Sequence, residues 1–247
     1  MPEPMTPEEK TRREKKTRSV RKLAEEIHKL RSKVTKDLSS DDEKTRLTAL
    51  AVALIDKTAE RVGNEDSAKD GHFGVTGWQN RHVTVDGDKV TIKYVAKSGV
   101  DQDKSFTDAK LAKMVKECKD RCKSKDNLLC TSDGFSIKAD RVNRYLREFE
   151  VTAKDLRGYA ANSLAVKLLK GSKKSSDEEE RKKRFKEVMK EVAARVGHQV
   201  ATLKKHYLLP GIEQDYVKKS KIPTVKEASV SGFQAVSLLI PRMPGTS

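Results

Sequence analysis

The sequence has little of what a membrane or secreted protein needs. No apolar stretch approaches the roughly 18 uninterrupted residues of a spanning helix. The first residues, MPEPMTPEEKTRREKK, lack the apolar middle of a secretory signal. Three cysteines in 247 residues is a small and odd number, which argues for reduced thiols in a cytosol-like compartment. A cytoplasmic, nucleoid-associated chain is therefore expected, with a nuclear or viral setting also open, and secretion is not. The cysteines also fall short of a zinc site. Cys118 and Cys122 lie four apart on a helix-patterned segment with Cys130 beyond, but a fourth ligand is missing and no His is close in sequence. Free buried thiols are the simpler reading. One Trp and six Phe, scattered along the chain, are too few for a platform that stacks single-stranded bases. Neither a Walker phosphate loop nor G-x-G-x-x-G occurs, and neither a cofactor nor a metal is expected.

What the sequence has in excess is positive charge. Lys and Arg number 53 against 37 Asp and Glu, a formal charge of +16, and charged residues make up 36%, against about 25% in ordinary domains. Such a balance points to a polyanion, of which nucleic acid is the commonest. Between Lys10 and Lys36 stand twelve Lys/Arg and three Glu, a local +9. Residues 1–20 read as a basic, proline-punctuated mobile arm. From Val20 the apolar positions Val20, Leu23, Ile27, Leu30 and Val34 recur at spacings of three or four, one stripe of an amphipathic helix with basic faces elsewhere. Those faces are either simply solvated or turned to phosphates.

Ser40 with Glu43 has the pattern of a capping box. Leu47, Leu50, Leu54, Ile55 and Val62 give the helix it opens a broad apolar face, and Gly63 predicts its stop, with Arg61 in the last turn. The period then switches to two. His82–Val85, the turn Asp86-Gly87-Asp88 and Lys89–Val95 make a hairpin. Lys97-Ser98-Gly99 is a second turn, leading to a short third strand near Lys104 to Thr107. Helices are expected over Asp108 to Cys122, Ala139 to Phe149, Ala153 to Lys170 and Asp177 to Val196, with a short one around Tyr207. Ser176 and Glu179 suggest a further capping box. After Lys218 the chain reads as a tail. The fold class is mainly α with a small three-stranded antiparallel sheet, and the organisation is an arm (1–20), one catalytic domain (21–217) and a C-terminal tail (218–247).

Gly197-His198, followed by Tyr207 nine residues after the His, is by itself compatible with a satisfied histidine and a core tyrosine. It gains meaning beside Ala59-Glu60-Arg61-Val62-Gly63-Asn64-Glu65, Val95-Ala96-Lys97-Ser98-Gly99 and Thr152-Ala153-Lys154-Asp155-Leu156-Arg157. In this order and spacing the chain, from about Arg21 to Pro210, resembles the catalytic domain of type IB DNA topoisomerases of the bacterial and poxviral kind. The likeness includes the strand starts at Phe73-Gly74 and Arg81-His82-Val83. It implies the catalytic set Arg61, Lys97, Arg157, His198 and Tyr207, with Lys154, Arg81 and His82 in DNA binding. It implies a monomer acting on double-stranded DNA, with neither metal nor ATP.

The chemistry suits these residue types. A phenol can keep the energy of a phosphodiester bond as a phosphotyrosyl ester. Two guanidiniums and an imidazole donor suit the extra charge on the nonbridging oxygens of the phosphorane. The departing 5′ oxygen is a poor leaving group and needs an acid, here Lys97 with help from Arg61. Two departures from the family pattern stand out. Ser67 occupies a position where relatives often carry a phosphate-contacting Tyr. A basic arm stands where relatives usually carry a small β-rich domain, so the chain is either a fragment or uses the arm as part of a clamp.

The nearest competing reading is a tyrosine recombinase. Its second box usually reads H-x-x-R, against Lys154-x-x-Arg157 here, and its first Arg usually follows T-G-x-R, whereas Arg61 precedes Val-Gly-Asn-Glu. Both details favour the topoisomerase. A non-enzymatic basic DNA-binding protein gives no reason for five catalytic residue types in family order.

Overall fold

The computed structural model describes residues 6–96, 100–124, 126–172, 175–222 and 224–225. These fall into two compact units, residues 6–33 with 143–225, and residues 34–142. The architecture is mostly helical with a single three-stranded antiparallel sheet among the described residues.

The first unit is all helical. Helix α1 (Pro7–Asp37), which contributes its residues through Lys33, presents the expected stripe: Val20, Leu23, Ile27 and Leu30 are buried. It begins thirteen residues earlier than its apolar stripe, so from Pro7 on the expected arm is helical. The start signal is local. Thr6 Oγ1 accepts from the Glu9 amide (3.2 Å) and Glu9 Oε2 from the Thr6 amide (3.1 Å), a capping box with Pro7 at the first helical position. The end of α5 (Ala139–Leu146) and a 3-10 turn (Arg147–Phe149) lead to α6 (Ala153–Lys170), α7 (Glu178–Val196), α8 (Val200–His206) and α9 (Ile212–Val217). Helix α7 packs on α6, α8 and α9, burying Phe185, Val188, Met189 and Val192. Its N-cap is Asp177, whose carboxylate accepts from the Glu179 and Glu180 amides, in place of the expected Ser176–Glu179 box. Helix α9 was not foreseen in the sequence, and residues 226–247 of the expected tail lie outside the described residues.

The second unit packs α2 (Glu43–Thr58) and α4 (Ala109–Arg121) against the sheet, with a short α3 (Glu65–Lys69) and 3-10 turns at Val75–Gly77 and Asn80–His82. Helix α2 is capped by Asp42 rather than Ser40, its carboxylate accepting from Thr45 (2.8 Å). It ends at Thr58 with Ala59 in the left-handed conformation (φ 54°), so Arg61 sits in the loop beyond and not in a last helical turn. The carbonyls of Arg61 and Val62 are taken by the amides of Val75 (2.8 Å) and Thr76 (2.7 Å), which holds that loop away from the helix path.

Strands β1 (Val83–Asp86), β2 (Lys89–Ala96) and β3 (Val100–Thr107) pair in order, with Lys89 opposite Thr107 and Ala96 opposite Val100. Strand β3 is longer than expected because its inward positions, Gln102, Lys104 and Phe106, include two polar side chains that conceal the alternation. Lys104 is neutralised where it is buried: its ammonium pairs with Glu60 and donates to the Thr58 carbonyl (3.1 Å), while the Tyr94 hydroxyl donates to the other Glu60 oxygen. Removing one partner of a buried pair typically costs about 3–5 kcal/mol, whereas a hydrophobic replacement of both is often neutral. Glu60→Ala should therefore destabilise the protein by about that amount in urea titrations. The double change Glu60→Leu with Lys104→Met should recover most of the loss, and equal loss in both would show that the pair is not the cause.

Candidate active site

Three of the sequence-predicted residues meet in the first unit. Arg157, about one turn into α6, is 4% exposed. Its Nη1 donates to the Tyr207 hydroxyl (3.3 Å) and its Nη2 to the Val196 carbonyl at the end of α7 (3.0 Å). The start of α6 that aims it is fixed by a capping box: Thr152 Oγ1 and N both donate to Asp155 Oδ2 (2.7 and 2.9 Å). At the C-terminus of α7, Gly197 takes the left-handed conformation (φ 67°) that lets the chain turn out of the helix. The amide of His198 then returns to the Ala193 carbonyl (2.8 Å). This turn lays the His198 ring on Tyr207, with centroids 4.3 Å apart and planes 32° apart.

Tyr207 itself closes α8, and it is buried although its neighbours His206 and Lys205 are exposed. What holds it is a residue sequence reasoning missed. Asn162, one turn beyond Arg157 on α6 and fully buried, donates through Nδ2 to the Tyr207 carbonyl (2.8 Å) and to the Gly158 carbonyl (2.6 Å). Its Oδ1 accepts from the Leu209 amide (2.8 Å). A second missed residue is Lys16 of α1, whose ammonium lies 4.7 Å from the centroid of the Tyr207 ring. Burial, then the Lys154 charge, push its pKa down to about 8. Lys154 is exposed on the first turn of α6.

The remaining predicted residues belong to the second unit. Arg61 is half-buried on a loop fixed through its backbone. Gly74 approaches so closely that a Cβ there would stand 2.7 Å from the Arg61 carbonyl and 2.5 Å from the Gly63 amide. Gly63 (φ +107°) adopts a conformation that L side chains rarely take. Lys97 lies outside the described residues, between β2 and β3, and the side chain of Ser67 does too. Arg81 is exposed, its Nε donating to Gln79 (2.7 Å).

His82 lies inside the fold, beside the exposed Arg81. Its ring is buried against Phe73 (4.4 Å) and accepts the Gln79 amide at Nδ1 (3.0 Å), closing the 3-10 turn. Burial, then the Arg81 charge, push its pKa down to about 4. The buried imidazole thus helps to shape the 3-10 turn that carries Arg81.

Cys122 and Cys130 bring their sulfurs to 3.0 Å. Burial raises the Cys118 thiol to about 11 and that of Cys122 to about 12. Among the described residues no group of three or more His, Cys, Asp or Glu is arranged to hold a metal ion. No helix among them is long and apolar enough to cross a membrane.

Asn162→Ala would leave the Tyr207 carbonyl and the Leu209 amide without their buried partner. An unsatisfied buried group costs about 1–3 kcal/mol. The melting temperature should drop, and hydrogen exchange at the Leu209 amide should rise well above that of neighbouring core amides. Unchanged protection at Leu209 would show that Asn162 does not hold the loop.

Among protein families, residues 8–227 match the model of the eukaryotic DNA topoisomerase I catalytic core. Among solved structures, the chain is similar to the XerH site-specific recombinase bound to palindromic difH substrate in a post-cleavage complex. The identity is 18% and the TM-score 0.48, over 79% of this chain and 49% of that one. The chain thus spans about half the length of that structure. Against the curated proteins nothing matches.

Proposed function

The chain belongs to the family of the eukaryotic DNA topoisomerase I catalytic core, and from that premise we propose that it is a type IB DNA topoisomerase. In this reading it relaxes supercoiled double-stranded DNA, without ATP or metal, by cutting one strand, letting the end swivel and rejoining it. The observation that supports this most directly is the hydrogen bond from the buried Arg157 guanidinium to the Tyr207 hydroxyl. A nucleophile and a permanently charged donor for phosphate oxygens stand side by side.

Tyr207 attacks the phosphorus, the phenolic oxygen becomes bonded to the 3′ phosphate, and the 5′ oxygen leaves as a hydroxyl. Charge accumulating on the nonbridging oxygens is met by Arg157, Arg61 and a hydrogen bond from His198. Lys97 is the acid that protonates the leaving oxygen. Lys154 and Arg81, both exposed, contact the DNA backbone, and the protein works as a monomer.

The decisive gel uses supercoiled plasmid, chelator and no ATP. Wild-type protein should give a ladder of relaxed topoisomers. Intact linking number with DNA bound would leave a passive binder, and products only from paired sites would indicate a recombinase. Tyr207→Phe should abolish both relaxation and the covalent adduct while duplex affinity stays within a few-fold. An adduct that persists and maps to Tyr216 would move the nucleophile.

Lys97→Ala should slow cleavage by on the order of 10²–10⁴-fold, the range for general acids. A substrate whose 5′ leaving atom is sulfur needs little protonation, so it should largely restore that variant but not Arg157→Ala. Equal rescue of both, or of neither, would remove Lys97 from the acid's role.

A further inference from the structure

The basic face of α1 is not uniformly solvated. Lys16 and Val20 are four residues apart and share a helix face. Val20 is buried where α6 carries Gly158, and a Cβ on that glycine would stand 2.9 Å from Val20 Cγ2. A glycine inside a helix costs about 0.5–1 kcal/mol relative to alanine, and here it admits α1 close to α6. The same approach brings Lys16 along: its Cε would lie 4.0 Å from that Cβ, and its ammonium rests 4.7 Å from the Tyr207 ring centroid. Tyr207 is also met by Arg157, which donates to the hydroxyl, and by the His198 ring.

The groups around Lys16 are mainly cationic. Arg13 comes from α1, Lys154 and Asp155 from the first turn of α6, and His206 from α8. Glu9 of α1 pairs with Lys205 (3.6 Å). Burial is the largest influence on the Lys16 ammonium, and Lys154 and Arg13 add to it, with Asp155 opposing. The amine therefore loses its proton near pH 8 rather than near 10.5. Arg157 cannot take up a proton, because its guanidinium stays charged at all working pH values.

Resting on the topoisomerase reading, we propose that Lys16 is the proton acceptor for the Tyr207 hydroxyl during strand cleavage and returns that proton during religation. The Tyr207 O–H bond breaks as the oxygen–phosphorus bond forms, and the proton passes to the neutral Lys16 amine, which becomes an ammonium. The phosphorus–O5′ bond breaks with its electron pair going to O5′, which takes a proton from Lys97. In religation the 5′ hydroxyl attacks and both protons return.

The test is single-turnover adduct formation by the full chain on a suicide duplex, with enzyme in excess and DNA prebound, between pH 6 and 10. The wild-type rate should rise with pH through a midpoint at or above about 8, since below it the amine is protonated and cannot accept, and a bound phosphate moves the midpoint up. Lys16→Met, of similar length but without a base, should be slower by about 10²-fold or more near the plateau. Lys16→Arg keeps the cation and the ring contact but cannot accept a proton, and it should be equally slow while binding duplex normally. Wild-type cleavage by Lys16→Arg would overturn the proposal in favour of a purely electrostatic role, and so would an unaffected Lys16→Met. If Lys16→Met fails to fold, Lys16→Arg decides. In protein with labelled lysine ε-carbons, one lysine should titrate near pH 8 and vanish in Lys16→Arg; no such lysine would equally overturn the proposal. Failure of the wild type itself to form any adduct would instead overturn the topoisomerase reading.

Discussion

Arg157 carries a charge it cannot shed, and it is almost wholly removed from water. Burying such a group costs several kcal/mol unless its donors find oxygens in good geometry, and this need orders much of the first unit. The Val196 carbonyl is available because α7 ends there, and α7 ends there because Gly197 takes a left-handed turn. The same turn presents His198 to the Tyr207 ring. The Tyr207 hydroxyl also accepts from Arg157, and its position depends on Asn162, about one helical turn from Arg157 on the same helix. Cap, arginine, asparagine and tyrosine thus form one chain of dependence, in which no member has its geometry alone.

The second unit solves a related problem by different means. Glu60 directly precedes Arg61, and its buried carboxylate is held by Lys104 and Tyr94 from the sheet. The Arg61 backbone is then pinned by Val75 and Thr76 through hydrogen bonds and by the close approach of Gly74. Two consecutive acid and base side chains have opposite fates: the first is sacrificed to the core, so that the second leaves a rigid loop. Gly63, two residues after Arg61, is accounted for by conformation and space rather than by helix termination.

Periodicity made the helices legible, and so did the hairpin, since apolar residues at spacings of three or four, and then of two, record which face is buried. Arg157, His198 and Tyr207, singled out by residue type and order along the sequence, lie together in the first unit. Legibility failed where burial is polar. Gln102 and Lys104 face inward and concealed half of β3, and Asn162, in a helix with apolar neighbours, gives no sign of reaching across to a loop. It failed also where a strong compositional impression overrode a local signal. The run of basic residues suggested an arm, although Thr6-Pro7-Glu8-Glu9 spells the start of a helix. The burial of His82 was likewise not legible, because a polar side chain beside Arg81 suggests a surface, whereas the ring closes a turn from within.

Helix α1 shows why the net charge cannot be read as a single property. Its exposed lysines and arginines act through solvent, over distances that salt shortens to about 8–10 Å near physiological ionic strength. Their effect on a polyanion is additive and insensitive to which residue supplies it. Lys16 lies on the same helix but half out of water, against an aromatic ring and beside Lys154. There the surroundings are less screened, the charge is disfavoured, and burial with the Lys154 charge brings the pKa of the amine down to about 8. Gly158 makes this possible by letting the helices meet, so a packing decision on α6 separates one lysine from the rest of the basic run. A count of charges predicts the partner, while burial decides which of those charges can take part in proton transfer.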